Sequence, residues 1–231
     1  MSDRINAIFS SVYRRYDLMN HLFSLGIDKS WRSAAAAEAV SPGATMSVLD
    51  VATGTGDLAI AISKLAAKRR ASVSITAMDF NKDMLGVAKT KASRLGINAI
   101  KFEEGDALSM KYESNSFDVL VSAFALRNFD DLAKFSSEAL RVLKPGGRAV
   151  LVDMALPDSR LGRHFFAGYS KLMKAAGSYV SKDAYSWLVY SIGKFDKGKL
   201  MQILGDAGFE HLSIKSLRSG MAFMACGAKR S

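Results

Sequence analysis

Apolar residues along the chain recur with two alternating periods. Short β-branched runs at 47–51 (SVLDV), 73–78 (VSITAM), 100–104 (IKFEE), 117–124 (FDVLVSAF) and 148–154 (RAVLVDM) have the character of buried strands. Between them, 57–70, 82–96 and 131–147 carry helical spacing, the last segment expected to end at Pro145 and the Gly146, Gly147 pair. Strands that alternate with helices of this length pair in parallel through right-handed crossovers, which predicts an α/β, doubly wound sheet. Two more strands are expected at 209–217 and 220–228, around a turn at Arg218, Ser219 and Gly220. They bring the sheet to seven strands, mostly parallel, closed by an antiparallel hairpin.

Two stretches leave this rhythm. Residues 1–40 are helical in pattern, with Ile5, Ile8, Phe9, Val12, Tyr13 and Tyr16 three or four apart and a second, alanine-rich helix in WRSAAAAEAV. Residues 155–207 are also helical in pattern and carry Phe165, Phe166, Tyr169, Tyr179, Tyr185, Trp187 and Tyr190. The expected organisation is one domain over 1–231, with 1–40 as an N-terminal cap and 155–207 as an insert covering one end of the sheet.

Composition narrows the function classes. No apolar run reaches the roughly 18 residues that span a bilayer, and the N-terminus lacks a charged-then-apolar leader, so a cytoplasmic protein is expected. Cys226 is the one cysteine and lies in the apolar run MAFMAC, where a core role is expected over a nucleophilic one. The net charge of +10, from 32 basic and 22 acidic residues, invites an anionic partner. The basic residues are spread over KLAAKRR, KTKASR, KLMK and GKFDKGK, at spacings that suit solvated helix faces. Three readings follow: a solvated surface, peripheral attraction to the inner face of a membrane, or a nucleic-acid site, the last disfavoured because no basic and aromatic module is present. The aromatic inserts are compatible with a homodimer. No metal is expected.

Candidate chemistry begins at the turn after the first strand, ATGTGD. In an open α/β sheet ligands bind beyond the carboxyl ends of the strands, and Gly54 and Gly56 allow positive φ and close approach to the backbone. A tight turn with no ligand is the plain alternative. Asp79 ends the second strand, 25 residues after Gly54, where a carboxylate can accept from both hydroxyls of a ribose. The pattern lacks the third glycine of the dinucleotide fingerprint, and Asp50 and Asp57 add negative charge around the loop. That environment disfavours a pyrophosphate and suits a cationic nucleoside with an amino-acid head group, as in S-adenosylmethionine. Asp106 and Ala107 after the third strand suit an adenine, and Ser122, Arg127 and Asn128 are expected at the same rim after the fourth.

The strings VLDVATGTGDLA, MDFNKDML, EEGDAL, SFDVLVSAFALRNFDD and ALRVLKPGGR resemble, in order and spacing, the ubiquinone/menaquinone biosynthesis C-methyltransferases, which are class I S-adenosylmethionine-dependent enzymes with a Rossmann-like fold. The likeness extends to IFSSVYRRYDLMNHLFSLGIDKSWR upstream and to YSWLVYSIGKF and LGDAGFEHLSIKSLRSG downstream. It implies that Thr55, Asp79, Asp106, Ala107 and Ser122 contact the cofactor while Gly54 and Gly56 shape its loop. Asp50 and Phe80 complete the candidate set. It also implies an acceptor: the ring of a polyprenylated quinol, methylated on carbon.

Carbon methylation needs a ring hydroxyl to lose its proton, which enriches the neighbouring carbon. Arg127 with Asn128 is the preferred pair, stabilising a phenolate or positioning a water; the alternative is that Asn128 or Asp130 caps a helix and Arg127 pairs with an acid. Tyr16 and Asp17 are candidates to fold over the site, and of His21, His164 and His211 the first has the best claim on it. Phe9, Tyr13, Met19, Leu22, Phe23 and the later aromatics would line a groove for the prenyl tail, or form ordinary core. The chain departs from the family at Asp153 and Met154, at Trp187 and Tyr190, at Asp196, in a final hairpin without histidine, and at Thr53, where a smaller residue is usual. Other small aromatic or lipid acceptors, RNA, and binding without turnover stand as rival readings.

Overall fold

The computed structural model describes Ser10, Asp17, His21, residues 23–218 and residues 220–231, by backbone alone at 173–180 and 182. Its strands are β1 (Thr45–Val51), β2 (Ser72–Asp79), β3 (Ile100–Glu104), β4 (Phe117–Ala123), β5 (Leu143–Met154), β6 (Phe209–Ser216) and β7 (Ala222–Lys229). The helices are α1 (Asp28–Ala39), α2 (Asp57–Lys68), α3 (Lys82–Arg94), α4 (Leu132–Val142), α5 (Arg160–Lys194) and α6 (Lys197–Asp206). The strands form one sheet in the order β3-β2-β1-β4-β5-β7-β6, in which β7 alone runs antiparallel to its neighbours. The expected α/β sheet with its closing hairpin is therefore present.

Both faces of the central sheet are buried, so its strands are predominantly apolar and their side chains alternate between two cores. Val48, Val119, Val121, Val150 and Val152 enter a core with Ile60, Ile62 and Ala66 of α2. Leu49, Val51, Leu120 and Leu151 enter the other, with Phe135 and Ala139 of α4 and Leu200 and Leu204 of α6. Chain order reverses between β1 and β4, which opens a crevice beyond their carboxyl ends.

Local chemistry sets the helix boundaries. Asn81, Asp131, Ser159 and Asp196 each accept a backbone N–H from the first turn of the following helix, a cap worth about 1 kcal/mol. The cap of α4 is thus Asp131, and neither Asn128 nor Asp130 of the alternative reading. Helix α4 also stops at Val142, five residues before the expected end, because Leu143 already pairs with Phe117. The register then jumps to Val119 opposite Arg148, and KPGG forms the bulge between. A Cβ on Gly147 would lie 2.8 Å from the Lys144 carbonyl oxygen, so the bulge requires glycine there. Helix α5 is divided by an extended Ser181.

Candidate active site

The loop from β1 to α2 is built around one buried carboxylate. Asp50 Oδ2 accepts from the Thr53 hydroxyl at 2.6 Å and from the Ala59 N–H at 3.1 Å, tying the loop to the first turn of α2. Ala52, Gly54 and Gly56 all have positive φ, and a Cβ on Gly56 would come within 3.0 Å of Ala88 Cβ. Thr53, unexplained in the sequence, is the hydroxyl that orients Asp50. The other oxygen, Oδ1, is buried and has no hydrogen-bond partner among the described residues. Burial, reinforced by the Asp79 charge, pushes the Asp50 carboxyl up to about 7.

Asp79 fastens the loop from the other side. Its Oδ2 accepts from the Gly54 N–H at 2.7 Å and its Oδ1 from the Asn81 N–H at 2.8 Å. Burial nonetheless raises its carboxyl above the usual range. The Phe80 N–H also bonds this carboxylate, so one of its four lone-pair sites is left beyond these bonds.

Two adjoining recesses meet over the loop. The larger, an open cleft, is lined by Gly54, Asp79, Phe80, Asp106, Ala107 and Asn128 together with Met84, Phe124 and Phe129. The smaller is polar and is lined by Arg32, Asp50, Thr53, Thr55 and Asp57. Ala52, Gly54, Ala123 and Phe124 border both, so the two form one groove. Arg32 stands over the Phe124 ring, 5.0 Å from guanidinium carbon to centroid, an arrangement that a flat, weakly hydrated cation favours.

Several candidates lie elsewhere. Ser122 is fully buried within β4 and its hydroxyl donates to the Val51 carbonyl, so it lines neither recess. Gly56 lies beneath the loop, packed on Ala88. The acids of the loop are not all free: Asp57 takes Lys91 Nζ at 2.6 Å and faces Arg32 at 3.6 Å, and the Thr55 hydroxyl donates to Asp17 at 2.5 Å. Of the two acids of the loop, Asp50 is therefore the one without an ion-pair partner among the described residues. Tyr16 lies outside the described residues, as do Phe9, Tyr13, Met19 and Leu22. Ser10 and Asp17 of the same stretch reach the site, Ser10 accepting from Asn81 Nδ2 at 2.7 Å and Asp17 from Lys91 at 2.5 Å.

Arg127 is corrected most. It sits in the 3-10 turn Leu126–Asn128 with a buried side chain, paired to the fully buried Asp153 through Nε at 2.5 Å. Its Nη1 donates to the Ser191 hydroxyl at 3.1 Å, so the guanidinium joins the turn to α5 and does not face the cleft. Asn128 does line the cleft: its Oδ1 accepts from Trp187 Nε1 at 2.9 Å, which orients the amide. His21 Nδ1 lies 2.8 Å from Asp28 Oδ2. Burial alone would raise the Asp28 carboxyl, but hydrogen bonds from Ser24 and Arg32 outweigh it and hold the group below the usual range. His164 is exposed and bonds the Arg160 carbonyl. Among the aromatics, Phe23, Phe166 and Tyr185 are core while Phe165 and Tyr190 are exposed.

Arg32, Lys91 and Phe124 were not singled out in the sequence. Arg32 follows the tryptophan of the N-terminal signature, which was the one available signal.

Comparison with known proteins supplies the family. The model of the ubiE/COQ5 methyltransferase family matches residues 1–229. A demethylmenaquinone methyltransferase from Deinococcus radiodurans is 40% identical over 230 residues, covering 98% of this chain and 92% of that protein. A ubiquinone/menaquinone biosynthesis C-methyltransferase UbiE from Rickettsia bellii is 35% identical over 222 residues, covering 94% and 89%. Two solved structures share the fold. One is a SAM-dependent methyltransferase from Aquifex aeolicus, with TM-score 0.60, 20% identity and coverage of 81% of this chain and 83% of that one. The other is phosphoethanolamine N-methyltransferase 2 of Haemonchus contortus in complex with S-adenosyl-L-methionine, with TM-score 0.63, 16% identity and coverage of 87% and 53%. With its model matched along almost the full length, the chain belongs to the ubiE/COQ5 methyltransferase family.

Proposed function

We propose that the groove binds S-adenosylmethionine and that the protein transfers its methyl group to a ring carbon of a prenylated quinol. The observation that carries the cofactor assignment is the buried, unpartnered Oδ1 of Asp50 beside Arg32 in the polar recess. An amino-acid head group supplies the partner that Asp50 lacks: its ammonium satisfies Asp50, and its carboxylate meets the face of the Arg32 guanidinium that borders the recess, beside the pairs with Asp28 and Asp57. In the larger recess Asp79 accepts from a ribose hydroxyl with its remaining lone pair, and Asp106 and Ala107 take the adenine edge and face. Phe80 and Gly54 border the same space, while Thr55 acts on the loop through Asp17. Bound there, the cofactor supplies an electrophilic methyl group.

The chain's own residues prepare the acceptor. Trp187 occupies the carbonyl oxygen of Asn128 and one Nδ2 hydrogen meets the Phe124 carbonyl at 3.5 Å, which leaves the second Nδ2 hydrogen for a ring oxygen as it gains charge. Arg127 is a positioning residue, holding the Asn128 turn through Asp153 and Ser191. The quinol identity is supported by the names of relatives aligned over nearly the whole chain. No helix among the described residues is long and apolar enough to cross a membrane. The test incubates the pure protein with methyl-labelled cofactor and a lipid extract of its host. Label is expected in a prenylated quinone; label in RNA alone, or in no product, overturns the reading.

A further inference from the structure

The first half of α5 carries an apolar stripe that the fold does not use. Leu161 is 82% exposed, Phe165 68% and Leu172 62%, while Phe166 and Ser170 of the same turns are buried. At about 100° per residue Leu161, Phe165 and Leu172 fall within about 40° of arc on the side away from the buried pair. Arg160, His164 and Lys171 form a second exposed row, about 100° round from the stripe. Residues 159–182 contain five lysines and arginines and no acid. The nearest acid upstream, Asp158, is paired with Lys197 at 2.5 Å. Apolar and basic rows side by side on one open helix face complement an anionic lipid surface: the apolar row enters the acyl boundary and the basic row meets the phosphates. Beyond the break at Ser181 the second half of α5 holds Trp187 and Ser191 against the site, so the chain that carries this face runs on to the acceptor end of the cleft.

We propose that Leu161, Phe165 and Leu172, with Arg160, His164 and Lys171, form a docking face for an anionic bilayer. The purpose of this face rests on the lipid-acceptor reading, but its chemistry does not. The full-length protein is mixed with phosphatidylglycerol-containing or pure phosphatidylcholine vesicles and floated on a density gradient. It is expected to float with the former at low salt and to be released as salt rises. Leu161→Ser/Phe165→Ser should reduce flotation about tenfold or more, and Arg160→Gln/Lys171→Gln by about fivefold per residue removed. Both variants change exposed positions and should keep the wild-type unfolding midpoint. Turnover on a water-soluble, short-chain quinol should also be unchanged, while turnover on a long-chain quinol in vesicles falls with flotation. Wild-type protein that stays at the bottom of the gradient would overturn the proposal. So would a serine variant that floats undiminished, or one that only converts a dimer to a monomer, since the occupant would then be a second copy. Vesicle binding without turnover on either quinol would refute the functional reading and leave the docking face intact.

Discussion

Replacement of Arg127 by alanine separates a positioning role from a catalytic one. The change leaves Asp153, which is 0% exposed, without its cation. Removing one member of a buried pair costs about 3–5 kcal/mol because the other charge stays desolvated. Asp153 keeps two donors in the variant, the backbone N–H groups of Arg127 at 3.1 Å and Met154 at 2.7 Å. The cost therefore falls at the lower end, about 3 kcal/mol. For a chain of this size that lowers the unfolding midpoint by about 6–12 °C. Calorimetric unfolding at neutral pH measures it directly. The double variant Arg127→Met/Asp153→Asn removes both charges while keeping an oxygen acceptor for the two backbone N–H groups, and should recover part of the loss, about 1–2 kcal/mol. Cofactor affinity should stay within about threefold of wild type, while turnover falls because the Asn128 turn loosens. A variant that unfolds at the wild-type temperature and yet loses all turnover would refute this reasoning and return Arg127 to direct contact with the acceptor.

Other expectations follow from the groove. Asp79→Ala removes the ribose acceptor and should weaken S-adenosylmethionine binding by about tenfold or more in titration calorimetry; unchanged affinity would displace the ribose from Asp79. Asp50, pushed up to about 7 by burial, binds more protons folded than unfolded between its ordinary value near 4 and about 7. The free protein should accordingly lose stability as pH rises through that window, with the loss complete above it, while cofactor affinity rises as the carboxylate forms. Asp50→Asn should flatten both profiles, which urea unfolding and calorimetry across the window would detect. Thr53→Val deletes the hydroxyl that satisfies Asp50 and should destabilise the fold by about 1–3 kcal/mol in urea unfolding.

The strand ends were legible because each follows an apolar run whose length sets where the chain leaves the sheet. Asp79, Asp106 and Asn128 reach one cleft for that reason, and β3 spans the same Ile100–Glu104 in sequence and structure. What was not legible depends on partners far along the chain. Arg127 reads as a rim residue until Asp153 and Ser191, 26 and 64 positions away, are seen to hold it. Lys91 looks like one of many surface lysines on α3, yet it bridges Asp57 and Asp17. That pairing also changes the argument from loop acidity, which counted Asp57 as free charge. Ser122 shows the period of β4 prevailing over the chemistry of its hydroxyl: a buried position in a central strand gives the group to a neighbouring carbonyl. Thr53 runs the other way, a residue without a reason in sequence that has one in the fold.

Carbon methylation of a quinol ring is the central claim, and the position of the transferred methyl group decides it. The protein is mixed with 13C-methyl-labelled S-adenosylmethionine and a short-chain demethylated hydroquinone under reducing conditions, and the product is followed by carbon NMR. A new aryl C–CH3 resonance, growing as the cofactor methyl signal falls, is the predicted result. An O–CH3 resonance, or an unchanged hydroquinone, would contradict it.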